Sequence, residues 1–72
     1  MSNLNVAKIQ LNGSPYEIHD GTNLNELLNK LKIQKNKVAI EVNGKIVEKN
    51  EYPNLILNKD DKVEIVQFIG GG

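Results

Sequence analysis

Lys62-Val63-Glu64-Ile65-Val66-Gln67-Phe68-Ile69-Gly70-Gly71-Gly72 is the stretch on which the reading of this chain turns. Its first seven residues alternate like a strand, and its last three are glycines. Strand parity places Val63 and Ile65 on one face and Glu64, Val66 and Phe68 on the other. Glycines add no side chain to a core, and each loses much conformational freedom on ordering. Residues 70–72 are therefore expected to form a flexible tail behind a single domain of residues 1–69. The tail offers a bare backbone and a terminal carboxylate, and glycine lets the walls of another protein approach closely. A narrow enzyme channel suits such a segment. Chain ends are often loose without any function, so the body of the chain has to decide what the tail is for.

Upstream of the tail the elements are short. Ala7-Lys8-Ile9-Gln10-Leu11 alternates apolar and polar residues, the pattern of a half-buried strand. Asn12-Gly13 is a hairpin signal. Pro15 then opens the returning strand Tyr16–His19, where its missing N–H is tolerated. Asp20-Gly21-Thr22-Asn23 ends that strand and starts a helix, with Thr22 or Asn23 as the N-cap. If Asn23 is the cap, Glu26 completes a capping box. Leu24, Leu27, Leu28 and Leu31 follow at helical spacing as one apolar stripe. Lys30, Lys32 and Lys35 gather at its C-terminal end, where positive charge suits the macrodipole. Val38–Val42 is a strand, Asn43-Gly44 a second hairpin turn, and Lys45-Ile46-Val47 its short return. Glu48–Pro53 is polar and irregular, with room for one helical turn. Leu55-Ile56-Leu57 is expected to cover one end of the core, and Asn58–Asp61 to turn into the last strand.

The order β-β-α-β-β-β has one helix, which covers one face of a small sheet and gives an α+β two-layer domain. Ile9, Leu11, Val38, Ile40, Val42, Val63 and Ile65 are expected to meet the helix leucines. No second layer covers the face that carries Glu64, Val66 and Phe68. Val66 and Phe68 are therefore expected to form an exposed patch for a partner, unless residues 55–57 or the N-terminus fold over them.

The 72 residues correspond to one domain. With no cysteine there is no disulfide framework, no thiol metal site and no thiol of the chain's own. Nine lysines balance nine acidic residues and there is no arginine, a poor composition for gripping a nucleic-acid backbone. His19 stands alone and reads as a solvated or lightly packed strand residue. No apolar run is long enough to span a membrane and no leader precedes the fold, so a soluble cytoplasmic protein is expected. No nucleophile and base are paired by pattern. The glycines open no helix as a phosphate loop does. Asp60-Asp61, between Lys59 and Lys62, reads as a solvated turn and not as a metal site. The chain reads as a substrate or carrier for other enzymes, not as an enzyme, with no metal or cofactor of its own.

Ile9-Gln10-Leu11-Asn12-Gly13, the helix from Thr22 to Leu31, Val42-Asn43-Gly44-Lys45-Ile46-Val47 and Val63 to Gly72 together resemble the ThiS family, the small sulfur carriers of thiamine thiazole synthesis. The resemblance covers residues 8–72. It implies the ubiquitin-like β-grasp fold, a mixed sheet of about five strands with the first and last parallel at its centre and one main helix on one face. It also implies a chemistry in which the Gly72 carboxylate attacks the α-phosphate of ATP on a ThiF-type adenylating enzyme. A sulfur donor protein displaces AMP to leave a thiocarboxylate, and a ThiG-type thiazole synthase takes the sulfur. ATP and magnesium belong to the adenylating partner, and the free carrier is expected to be a monomer. Val66, Phe68, Ile69, Gly70 and Gly71 are the residues expected to meet these partners. A terminal Gly-Gly is shared with MoaD-type molybdopterin carriers and with ubiquitin-like modifiers, and a plain binding module is a further alternative. One departure lies just before the last strand, where Asp60 stands at the glycine of the family's usual Asp-Gly-Asp.

Overall fold

The computed structural model describes residues 5–68. In chain order these form β1 (Val6–Leu11), β2 (Ser14–His19), α1 (Leu24–Leu31), β3 (Val38–Val42), β4 (Lys45–Ile46) and β5 (Lys62–Gln67), with short 3-10 helices at Lys35–Lys37 and Lys49–Asn54. The five strands lie in the order β2-β1-β5-β3-β4. β1 and β5 run parallel at the centre, and the outer pairs are antiparallel. This is the ubiquitin-like β-grasp, as the resemblance implies. The domain boundary at residue 69 and the expected tail at 70–72 lie outside the described residues.

Both Asn-Gly pairs form tight turns with left-handed backbone at each position: φ is 49° at Asn12 and 85° at Gly13, then 54° at Asn43 and 84° at Gly44. That geometry matches the twist of the strands it joins, and asparagine and glycine adopt it most easily. Asn23 caps α1. Its Oδ1 accepts the Glu26 N–H at 2.8 Å, and Glu26 Oε1 accepts the Asn23 N–H at 3.0 Å, the reciprocal box expected from the sequence. Lys32 ends the helix in the left-handed region at φ 61°. The Ile33 N–H returns to the Leu28 carbonyl at 2.9 Å.

Leu24, Leu27 and Leu28 are buried against Ile9, Val38, Ile40, Val42, Val63 and Ile65, while Leu11 and Leu31 pack at the edge of this core, half-buried. Each fully buried aliphatic side chain contributes about 1.5–3 kcal/mol. Residues 55–57 close one end as expected. The Leu55 carbonyl accepts from the Leu24 N–H at 3.0 Å, the Leu57 N–H donates to the Thr22 carbonyl at 2.9 Å, and Leu57 is buried while Ile56 points outward.

The 48–53 stretch differs from its polar reading. Its 3-10 helix turns Tyr52 fully into the core, among the largest completely buried side chains of the domain. A single aromatic amid charged residues carries no periodicity, so the pattern did not reveal it. Burial pushes the Tyr52 phenol above its ordinary pKa, with a further push from Glu48. His19 is exposed, as read.

Candidate carrier strand and docking face

The strand that leads to the glycines is held from both sides by the two Asn-Gly turns. On the β1 side, the Asn12 N–H donates to the Val63 carbonyl at 2.9 Å and its side-chain amide pairs with the backbone of Ile65. On the β3 side, the Asn43 N–H donates to the Lys62 carbonyl at 2.7 Å, and Asn43 Oδ1 accepts the Lys62 N–H at 2.9 Å. The turn before β5 is equally occupied. Asp61 accepts the Asn58 N–H at 2.8 Å on one carboxylate oxygen and the Asn43 amide at 3.0 Å on the other. The Asp60-Asp61 pair is thus a turn, and Asp61 is spent on holding it. Asp60 has φ 69°, so the position where the family places glycine does need left-handed backbone.

The strand ends at Gln67, one residue short of the expected Phe68. The Phe68 N–H still donates to the Lys37 carbonyl at 2.9 Å, which pins the residue to the sheet. Val66 and Phe68 are 60% and 57% exposed on the side away from the helix. Ala39 lies opposite Val66, and Ile46, 73% exposed, lies opposite Glu41 in the next pair of strands. Ala39, Val66 and Phe68 therefore form an apolar area on the open face of the sheet, and Ile46 lies beside it in the row of Glu41 and Glu64. Ala39 and Ile46 were not picked out from the sequence. Strand parity with Glu41 and the register of the Asn43-Gly44 hairpin carry the signal that finds them.

Below this area Glu41 and Glu64 face each other across β3 and β5, both exposed. Like charges in directly opposed positions cost stability, and no ion pair with a lysine relieves them among the described residues. The face thus joins an apolar area to a pair of carboxylates. The other expected site residues, Ile69, Gly70, Gly71 and Gly72, lie outside the described residues. Among the described residues no group of three or more His, Cys, Asp or Glu gathers as a metal site would require. No helix there is long and apolar enough to cross a membrane.

The ThiS family model matches residues 9–72. A curated protein of Porphyra purpurea, the uncharacterized protein ycf40, is 36% identical over 72 residues and spans all of both chains. The thiazole synthase of Magnetococcus marinus is 45% identical over 65 residues, which is 90% of this chain and 20% of that protein. The chain thus spans about a fifth of the thiazole synthases it matches. Among solved structures, the crystal structure of the thiamine biosynthesis protein ThiS from Geobacter metallireducens superposes with a TM-score of 0.78 at 32% identity, over 90% of this chain and 99% of that one.

Proposed function

This chain belongs to the ThiS family of thiamine-biosynthesis sulfur carriers, and from that premise we propose that its Gly72 carboxylate is the atom group that carries the sulfur. The observation that carries the reading is the reach of the family match, which runs through the closing strand and all three glycines to residue 72. A carboxylate is a poor acyl donor until one oxygen becomes a leaving group. On an adenylating enzyme of the ThiF type, the Gly72 carboxylate attacks the α-phosphate of ATP and pyrophosphate departs. Sulfide delivered by a sulfur donor protein then attacks the acyl carbon and AMP leaves, giving a thiocarboxylate. A thiazole synthase takes the sulfur, and an oxygen from that enzyme's substrate or from water restores the Gly72 carboxylate. The chain has no cysteine, so it has no thiol on which sulfur could rest instead.

Val66 and Phe68, joined by Ala39 and Ile46, dock on the adenylating enzyme, and Ile69, Gly70 and Gly71 thread its channel. The free carrier is a cytoplasmic monomer in this reading. Partnership with thiazole synthase is supported by the relatives in which a stretch like this chain forms part of that enzyme's polypeptide. The experiment is intact mass spectrometry of the chain after co-expression with its adenylating partner and a sulfur donor. A gain equal to one oxygen replaced by sulfur is expected at the C-terminus. An unchanged mass overturns the reading, and a ladder of lysine conjugates replaces it with a protein modifier.

A further inference from the structure

The backbone of β5 is paired along one side to its end, and on the other only as far as Ile65. Toward β3, the bonds from Asn43 to Lys62 and from Phe68 to Lys37 bracket an antiparallel ladder that uses residues 62, 64, 66 and 68. The alternate residues 61, 63, 65 and 67 turn their backbone groups toward β1. Gln10 donates to Asp61, Asn12 donates to Val63, and the Asn12 side chain takes both groups of Ile65. There β1 turns away, so among the described residues the N–H and C=O of Gln67 face no strand. Beside this open rung lies a cavity of about 220 Å³ lined by Leu11, Asn12, Leu31, Ile33, Ile65 and Gln67.

We propose that an extended segment of the sulfur-accepting enzyme, of the thiazole synthase type, adds to the open edge of β5 at Gln67 and seats an apolar side chain among Leu11, Leu31, Ile33 and Ile65. This rests on the carrier reading above and names the surface used by the second of its two enzymes. The short span to Gly72 argues for such an occupant. Residues 69–72 reach at most about 13–14 Å at 3.3–3.6 Å per residue, so an enzyme whose reacting groups meet Gly72 must cover this end of the sheet. Strand addition draws affinity from main-chain bonds and specificity from a pocket for alternate side chains, and here the two lie side by side.

Charge marks the groove more than the open sheet face. By strand parity and register the open face carries Lys8 and Lys62 as well as Glu17, Glu41 and Glu64, so both signs mix there. The groove is flanked instead by exposed Lys32, between the lining residues Leu31 and Ile33, with Lys30 and Lys35 close by in the chain. Its occupant is accordingly an apolar strand with a carboxylate beside it.

Amide hydrogen exchange of the full chain, free and bound to purified thiazole synthase, tests this directly. The Gln67 amide is expected to exchange freely alone and to slow by about tenfold or more in the complex. Gln67→Pro removes that donor without touching the β3 ladder, a position where proline is tolerated. It should weaken thiazole synthase binding about tenfold or more and leave the rate of adenylation unchanged. Ile33→Ala, which trims the groove without altering the backbone, should weaken the same complex. An unprotected Gln67 amide in a complex that forms, no complex at all, or a Gln67→Pro defect confined to adenylation would each overturn the proposal. Its failure is distinct from that of the carrier reading: a wild-type chain that gains sulfur while Gln67 stays unprotected sinks this inference alone.

Discussion

The side chain of Asn12 completes the ladder to Ile65. Its Oδ1 accepts the Ile65 N–H at 2.7 Å, and its Nδ2 donates to the Ile65 carbonyl at 3.3 Å, between residues 53 positions apart. One amide thus imitates the next peptide of a strand that has already turned away. Asn12→Gly keeps the left-handed turn but leaves both groups of Ile65 without this partner. The expected loss is about 1–3 kcal/mol, read by chemical denaturation. Asn43→Gly, whose side-chain bonds are solvent-exposed, should cost less. Equal losses would show that the half-buried position of the Asn12 clamp is irrelevant.

Asp60 holds φ 69°, a conformation that costs a residue with a Cβ more than it costs glycine. Asp60→Gly should relieve that strain and raise stability by up to about 1 kcal/mol, the gain limited by the freer unfolded chain. Asp60→Val should lose about 1–3 kcal/mol. A thermal melt of the two variants beside the parent decides it. A valine variant as stable as the parent would mean the turn tolerates another backbone conformation.

Tyr52 buries its ring completely, and among the described residues its hydroxyl has no hydrogen-bond partner. Tyr52→Phe should leave stability unchanged or raise it by up to about 1 kcal/mol, whereas Tyr52→Ala should cost about 3–5 kcal/mol. The pH dependence carries a sign. The folded phenol holds its proton to higher pH than the unfolded one, whose pKa is near the ordinary 10.0. Above that pH the unfolded state sheds a proton that the native state keeps, so stability falls as pH rises toward the folded value. Tyr52→Phe should flatten this alkaline loss relative to the parent. Parallel curves would assign the loss to other groups.

Phe68 and Ile46 are exposed and belong to the proposed docking area, so trimming either should spare the fold. Phe68→Ala is expected to weaken the adenylating complex ten- to hundredfold, about 1.5–3 kcal/mol, with the unfolding midpoint barely moved. Ile46→Ala tests the part of the area that was not read from the sequence, and a smaller loss in the same direction is expected. Titration calorimetry against the adenylating enzyme supplies both numbers. Unchanged affinity in both variants would move the docking face elsewhere.

Removal of Gly72 should abolish adenylation and leave the domain folded. The carboxylate would sit about 3.5 Å short of its attack position, and reaction geometry tolerates much less than that. Gly71→Val should fail too, through bulk and restricted backbone. Pyrophosphate release on mixing with ATP and the adenylating enzyme is the readout, and normal release from the shortened chain would refute the proposed chemistry.

Much of the fold was legible because local signals and the tertiary structure agree. The two Asn-Gly pairs, the Asn23–Glu26 box and the leucine stripe each describe an element whose geometry depends on neighbours within a few residues. The helix-facing parity of β1, β3 and β5 held for the same reason. What could not be read depends on distant partners. Tyr52 is in the core because residues 49–54 turn it under the sheet, and nothing periodic marks it. The clamps from Asn12 and Asn43 onto β5 require knowing which strands are neighbours. Ile46 comes to the same face as Val66 and Phe68 only through the register of three strands.

The place of β5 has a consequence for how the protein is made. The strand is the last element among the described residues and the centre of the sheet, flanked by the first strand and the third. While it is still inside the ribosome, the β1–β2 hairpin and the β3–β4 hairpin have no common strand to join them, and a lone hairpin is marginal in water. Folding must wait for synthesis to pass residue 67, and these long-range pairings are slow to close. A product that stops early therefore lacks both the centre of the sheet and the residues beyond it. In the proposed carrier reading, translation thus ties the Gly72 carboxylate to the integrity of the body: an incomplete chain cannot offer it on a finished fold.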